Sequence, residues 1–89
     1  PIDVRAVADL ASLTVPAFCR YFKRVTNLTF TDFVNEYRVN QARRLLHSSR
    51  TVADVGYAVG FNNLSHFNKT FRTLTGQTPS DYRRELAIG

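Results

Sequence analysis

The chain states nearly the same pattern twice. The segment Phe18-Cys19-Arg20-Tyr21-Phe22-Lys23-Arg24-Val25-Thr26-Asn27 is echoed 49 positions later by Phe67-Asn68-Lys69-Thr70-Phe71-Arg72-Thr73-Leu74-Thr75-Gly76. The echo continues from Thr29-Phe30-Thr31-Asp32-Phe33 to Thr78-Pro79-Ser80-Asp81-Tyr82. Upstream the spacing is 48, with Val4, Val7, Ala8 and Ala11 matching Val52, Val55, Gly56 and Val59. One extra residue is therefore expected in the second turn. A chain that repeats itself in this way folds as two copies of one supersecondary unit.

The period within each copy is helical. Val4, Val7, Ala8 and Ala11 give the i, i+3, i+4, i+7 stripe of a half-buried helix, roughly Val4 to Leu10, capped by Asp3. A short turn through Ser12 and Leu13 leads to Thr14, an N-cap for a helix that carries Pro16 in its first turn and runs to about Thr26. Asn27 and Gly76 stand at equivalent helix stops, and both residue types tolerate the left-handed conformation. Thr29 and Asp32 resemble a capping box for a longer helix, about Phe30 to Leu46. Its apolar residues (Phe33, Val34, Tyr37, Val39, Ala42, Leu45, Leu46) are too spread for one narrow stripe and suit a connector packed against both repeats.

The linker 47–50 makes the natural subdomain boundary. The second copy then runs from about Val52 to Val59, turns at Gly60-Phe61-Asn62-Asn63, and continues from Leu64 to about Thr75. Thr78-Pro79-Ser80-Asp81 opens a last short helix. With no hairpin signal, the fold class expected is all-α: two helix-turn-helix subdomains (1–29 and 48–89, the latter with a C-terminal helix) joined by a long linker helix (30–47).

Wound at about 100° per residue, the second helix of each copy divides in the same way. In the first, Phe18, Phe22 and Val25 face inward with Val15 and Tyr21 at the edges; Pro16, Arg20 and Lys23 face outward, flanked by Cys19 and Arg24. In the second, Phe67, Phe71 and Leu74 face inward; Ser65, Lys69 and Arg72 face outward beside His66, Asn68 and Thr73. One amphipathic helix with a charged face is ordinary, but two matched copies, each after a helix and a tight turn, point to DNA grooves.

The balance of 12 Lys plus Arg against 7 Asp plus Glu gives a net charge of +5 and suits a polyanionic partner. Arg20 is the expected base reader of the first helix, since arginine pairs bidentately with guanine. Pro16, Ala17 and Cys19 offer contact with thymine methyls, Asn68 suits adenine, and Ser65 and His66 are weaker base readers. Lys23, Arg24, Arg72, Arg43, Arg44 and Arg50 are assigned to phosphates, with plain surface charge an equal alternative for the linker-helix arginines. A connector of about 16 helical residues spans roughly 24 Å, against about 34 Å between successive major grooves on one duplex face. Misfit would be taken up by DNA bending or by release of one helix.

These residues resemble the DNA-binding domain of AraC/XylS-type transcription regulators, from about Val4 to Arg84. The most specific matches are Gly60-Phe61, Ser65, Phe67, Phe71-Arg72, Gly76, Thr78-Pro79 and Tyr82-Arg83, joined by Phe22-Lys23, Thr26, Phe30, Arg38, Ala42 and Leu45-Leu46. The resemblance implies seven helices and one monomer contacting two adjacent major grooves. By position it implies DNA contact at Pro16, Cys19 and Arg20, and at Leu64, Ser65, His66, Lys69 and Thr70. It implies double-stranded DNA as partner, RNA polymerase as a second, and a small-molecule effector only through a domain outside this chain. No cofactor is implied.

Departures are Gly56 in place of the usual Ala, expected to loosen its helix by about 1 kcal/mol, and Asn27 in place of Gly. The family's helix before Val4 is expected to be missing or truncated, and the absent start methionine suggests a piece of a longer protein.

Rival readings are weaker. Cys19, His47 and His66 are the only thiol and imidazole candidates for catalysis, and no metal-ligand spacing links them. His47 reads as a helix C-terminal cap. A single cysteine cannot form an internal disulfide, which fits a cytoplasmic location. No apolar run approaches the roughly 18 residues of a membrane span. A basic helical protein-interaction or membrane-surface module remains the alternative, though the apolar positions read as core rather than as a broad exposed face. Whether the second unit reads bases or grips phosphates is left open by the sequence.

Overall fold

The computed structural model describes residues 3–88; the outer bounds of the expected domain, residues 1, 2 and 89, lie outside them. Six helices follow one another: α1 (Val4–Leu10), α2 (Val15–Thr26), α3 (Phe30–Leu45), α4 (Val52–Ala58), α5 (Leu64–Thr75) and α6 (Pro79–Ile88). No strand occurs among the described residues, so the architecture is all-α, as the periodicity required. The resemblance counts seven helices, and the described residues hold six.

Local chemistry sets each start. The side chains of Asp3, Thr14, Thr29, Thr51, Asn63 and Thr78 accept hydrogen bonds from the amides of Arg5, Ala17, Asp32, Asp54, His66 and Asp81 at 2.7–3.3 Å. Each satisfies a donor that the first turn leaves without an intrahelical partner. The stops are equally regular. Ser12 (φ 59°) and Gly60 (φ 110°) end α1 and α4, and Asn27 (φ 62°) and Gly76 (φ 86°) end α2 and α5.

The first pair shows the hydrogen bonding of a Schellman stop. The amides of Leu13 and Phe61 reach back to the carbonyls of Ala8 and Gly56 at 2.9 and 3.0 Å, and those of Ser12 and Gly60 to Asp9 and Tyr57 at 3.0 and 3.1 Å. Thus Ser12 and Leu13 match Gly60 and Phe61 at a spacing of 48, while the caps Thr14 and Asn63 match at 49. Asn62 is the inserted residue.

The second pair shares a threonine device. The hydroxyls of Thr26 and Thr75 donate to the carbonyls of Phe22 and Phe71 at 2.7 Å and accept from the amides of Leu28 and Gln77 at 3.2 and 3.3 Å.

The chain forms two compact units, Pro1–Asn35 and Glu36–Gly89, divided inside α3. The first has a core of Ala8, Phe18, Phe30 and Val34, with Val4, Val7, Val15, Cys19 and Phe22 partly buried against it. Its rings meet edge-on, Phe18 and Phe22 each 5.4 Å from Phe30. The second has a core of Val39, Ala42, Leu46, Val55, Phe61, Phe67 and Phe71. The two ends of α3 therefore feed different cores, which is why its apolar residues follow no single stripe.

Three details depart from the sequence reading. Val25 and Leu74 face inward on a helical wheel but are 62% and 41% exposed. Both lie in the last turn, where direction on the wheel no longer guarantees depth. Leu10, Phe33 and Tyr37 are also exposed, at 87%, 40% and 49%. Gly56 does not simply loosen α4: a Cβ there would stand 2.6 Å from Cδ2 of Phe67, so glycine is what lets α5 pack so close. Finally, the groups just beyond α3 are held by Arg83 rather than by His47. Nε of Arg83 donates to the carbonyl of Leu46 at 3.2 Å and its Nη2 to that of Ser48 at 3.3 Å, while the His47 ring meets Tyr82 edge-on at 6.5 Å.

Candidate nucleic-acid interface

In each unit the second helix rests an aromatic face on the core and leaves the other face in solvent. Phe18 is 6% exposed in α2, and Phe67 and Phe71 are fully buried in α5. Opposite them, Pro16, Arg20, Lys23 and Arg24 of α2 are exposed, as are Leu64, Ser65, His66, Lys69 and Arg72 of α5. Cys19, Asn68 and Thr70 are half-buried; Cys19 leans on the first core and borders a shallow cleft with Val4, Lys23 and Phe30. Arg43 and Arg44 in the last turn of α3 are exposed, and so is Arg50 in the loop before α4.

Charge sharpens the division. Neither α2 (VPAFCRYFKRVT) nor α5 (LSHFNKTFRTLT) contains an acidic residue, although the chain has 7. The ion pair found among the described residues, Arg84 to Asp81 at 3.3 Å, lies in α6. Arg20, Arg24, Lys69 and Arg72 form no salt bridge with a described residue, so their donors remain available to an anion. Lys23 is partly engaged, its Nζ donating to the Asn27 carbonyl at 3.2 Å. Such a surface offers hydrogen-bond donors, fixed positive charge and small apolar groups on one helix, the chemistry that phosphate and base edges require.

Two residues that support this surface from below escaped the sequence reading in that role, the buried Phe61 and the half-buried Arg38. Phe61 meets the His66 ring at 5.3 Å with the planes 83° apart. The guanidinium carbon of Arg38 lies 5.8 Å from the Phe61 centroid. Arg38 and His66 are far apart in sequence, and no local pattern links them. Among the described residues no group of three His, Cys, Asp or Glu side chains could hold a metal ion, and no helix is long and apolar enough to cross a membrane.

Comparison with known proteins supports the family and the fold. A family model described as a helix-turn-helix domain matches residues 7–85. The chain is 39% identical over 80 residues to the transcriptional activator RhaS of Escherichia coli K12, covering 89% of this chain and 29% of RhaS. It is 36% identical over 84 residues to the uncharacterised regulator YdeC of Bacillus subtilis, covering 93% of this chain and 29% of YdeC. Among solved structures it resembles the DNA-binding domain of AdpA, a global transcriptional factor solved in complex with a target DNA. That match has a TM-score of 0.86 and 30% identity, and covers 96% of this chain and 78% of the other. The chain spans 26–29% of the length of the curated relatives it matches.

Proposed function

This chain belongs to the AraC/XylS family of helix-turn-helix DNA-binding domains, and from that premise we propose that it places α2 and α5 in successive major grooves on one face of a duplex. It is a sequence-specific DNA-binding module of a transcription regulator. Residues 1–29 supply one helix-turn-helix unit, 30–47 the connector, and 48–89 the other unit. The observation that carries the reading is the repetition of one helix design: two acid-free helices of 12 residues, each buried on its aromatic face and exposed on its cationic face. A single such helix is ordinary surface; two at the same place in two units make one bipartite reader.

Arg20, beside Pro16 and Cys19, reads bases for the first unit. Lys69, with Leu64, Ser65, His66, Asn68 and Thr70, faces the groove for the second. Lys23, Arg24, Arg72, Arg43, Arg44 and Arg50 neutralise phosphates, which fixes register without adding sequence information. We place this module in the cytoplasm, with RNA polymerase as a second partner and with a small-molecule effector acting only through a domain outside this chain.

Selection of bound duplexes from a random pool at near-physiological salt tests the reading. Two short motifs about one helical turn apart are expected. No enrichment, with binding that only fades as salt rises, would reduce it to charge attraction.

A further inference from the structure

At the start of α5 three side chains make a stack that the first unit lacks. Phe61 sits at its centre, 3% exposed, with its ring 5.2 Å from Phe67 and its amide bonded to the Gly56 carbonyl at 3.0 Å. On this buried ring lie two polar groups. The His66 imidazole meets it at 5.3 Å, nearly perpendicular, and the Arg38 guanidinium lies 5.8 Å from its centroid. Gly60 lies close beneath Arg38: a Cβ there would stand 3.0 Å from the Arg38 Nε, so the guanidinium would have to shift slightly. The backbone of His66 is fixed as well, its amide held by Oδ1 of Asn63 at 2.7 Å. At the repeat spacings of 48 and 49, the counterparts of Phe61 and His66 are Leu13 and Ala17. The helix-turn-helix frame therefore forms without this stack.

A solvent-exposed imidazole is ordinarily a free rotor. Phosphate oxygens accept hydrogen bonds over a broad range of directions, so a phosphate contact gains little from a fixed ring. A base edge presents its acceptors and donors in one plane, and a reader already held in one orientation loses less entropy on binding. We infer that His66 is a base-reading, specificity-determining residue of the second unit, and that Phe61, braced by Arg38, is the positioning residue that sets its ring plane. The inference rests on the DNA-binding reading above and names which side chain of α5 discriminates.

The test is a double-mutant cycle in the intact 89-residue chain, scored on the duplex recovered by selection and on its single-base-pair variants. His66→Ala is expected to lose discrimination at one base pair by about 5- to 100-fold. Phe61→Leu is expected to lose discrimination at the same base pair, and the double variant to lose no more than His66→Ala alone, because one residue acts through the other. Thermal melting checks that each variant is folded. Should Phe61→Leu fail to fold, Arg38→Met replaces it and is expected to relax the same base pair in part. Losses that add independently would overturn the positioning role. Unaltered base preference in His66→Ala, while Arg20→Ala and Lys69→Ala weaken binding, would overturn the inference and leave the DNA-binding reading intact. Unchanged binding and unchanged base preference in all of these variants would overturn the inference together with the assignment of α2 and α5 as the contact surface.

Discussion

At the scale of single residues, backbone conformation and close contact decide the outcome. Ser12 holds φ 59°, a region that costs a residue with a Cβ, whereas its counterpart Gly60 holds φ 110° without that cost. Ser12→Gly is therefore expected to stabilise the fold by about 0.5–1 kcal/mol, and Gly60→Ser to destabilise it, in denaturant unfolding. Gly56→Ala separates propensity from packing. A helix-interior Ala gains up to about 1 kcal/mol, but overpacking costs about 1–3 kcal/mol. With a Cβ placed 2.6 Å from the Phe67 ring, the cost is expected to win. A variant more stable than the parent would show that Phe67 yields. Residues that act through their own backbone, such as Asn27 and Gly76, were legible in the sequence, because a helix stop needs only local information. Gly56 was not, because its partner is supplied by another helix.

At the scale of elements, the helices follow their caps closely. Thr14→Ala and Asn63→Ala are each expected to cost about 0.5–2 kcal/mol, and each should raise amide exchange in the first turn of its own helix. The Arg83 fork has a different reach. Removing it in Arg83→Ala leaves the carbonyls of Leu46 and Ser48 without that donor. Faster exchange is expected around the end of α3, and Arg83→Lys should restore it only in part because a single ammonium does not reproduce the fork. Unchanged exchange there would make the contact incidental. Helix bounds were legible to within a residue or so, since propensity, caps and period agree at each end. The depth of burial was not. The wheel assigned Val25 and Leu74 to the inside, yet a direction says nothing about how far the neighbouring core extends. The partial burial of Cys19, Asn68 and Thr70 was hidden for the same reason.

At the scale of the whole molecule, charge is sorted rather than merely present in excess. All 7 acidic residues fall outside α2 and α5, which carry Arg20, Lys23, Arg24, Lys69 and Arg72. If Lys23, Arg24, Arg72, Arg43, Arg44 and Arg50 each neutralise a phosphate, the logarithm of the binding constant should fall with the logarithm of salt at a slope of about −5. Arg50→Ala should shift that slope by about 1 with no change in sequence preference; an unaltered slope would make Arg50 plain surface charge. The duplicated design and the all-α class were legible in the sequence because repetition multiplies every weak local signal. The stack of Arg38, Phe61 and His66 was not, because it joins distant parts of the chain. The left-handed residues on either side of α2 and α5 carry one more implication. They act as punctuation: each of these two helices begins and ends at marks set outside its own exposed face. The letters between the marks can change while the sentence still parses, so the outward residues of either helix are free to drift toward a new target without the fold having to be rewritten.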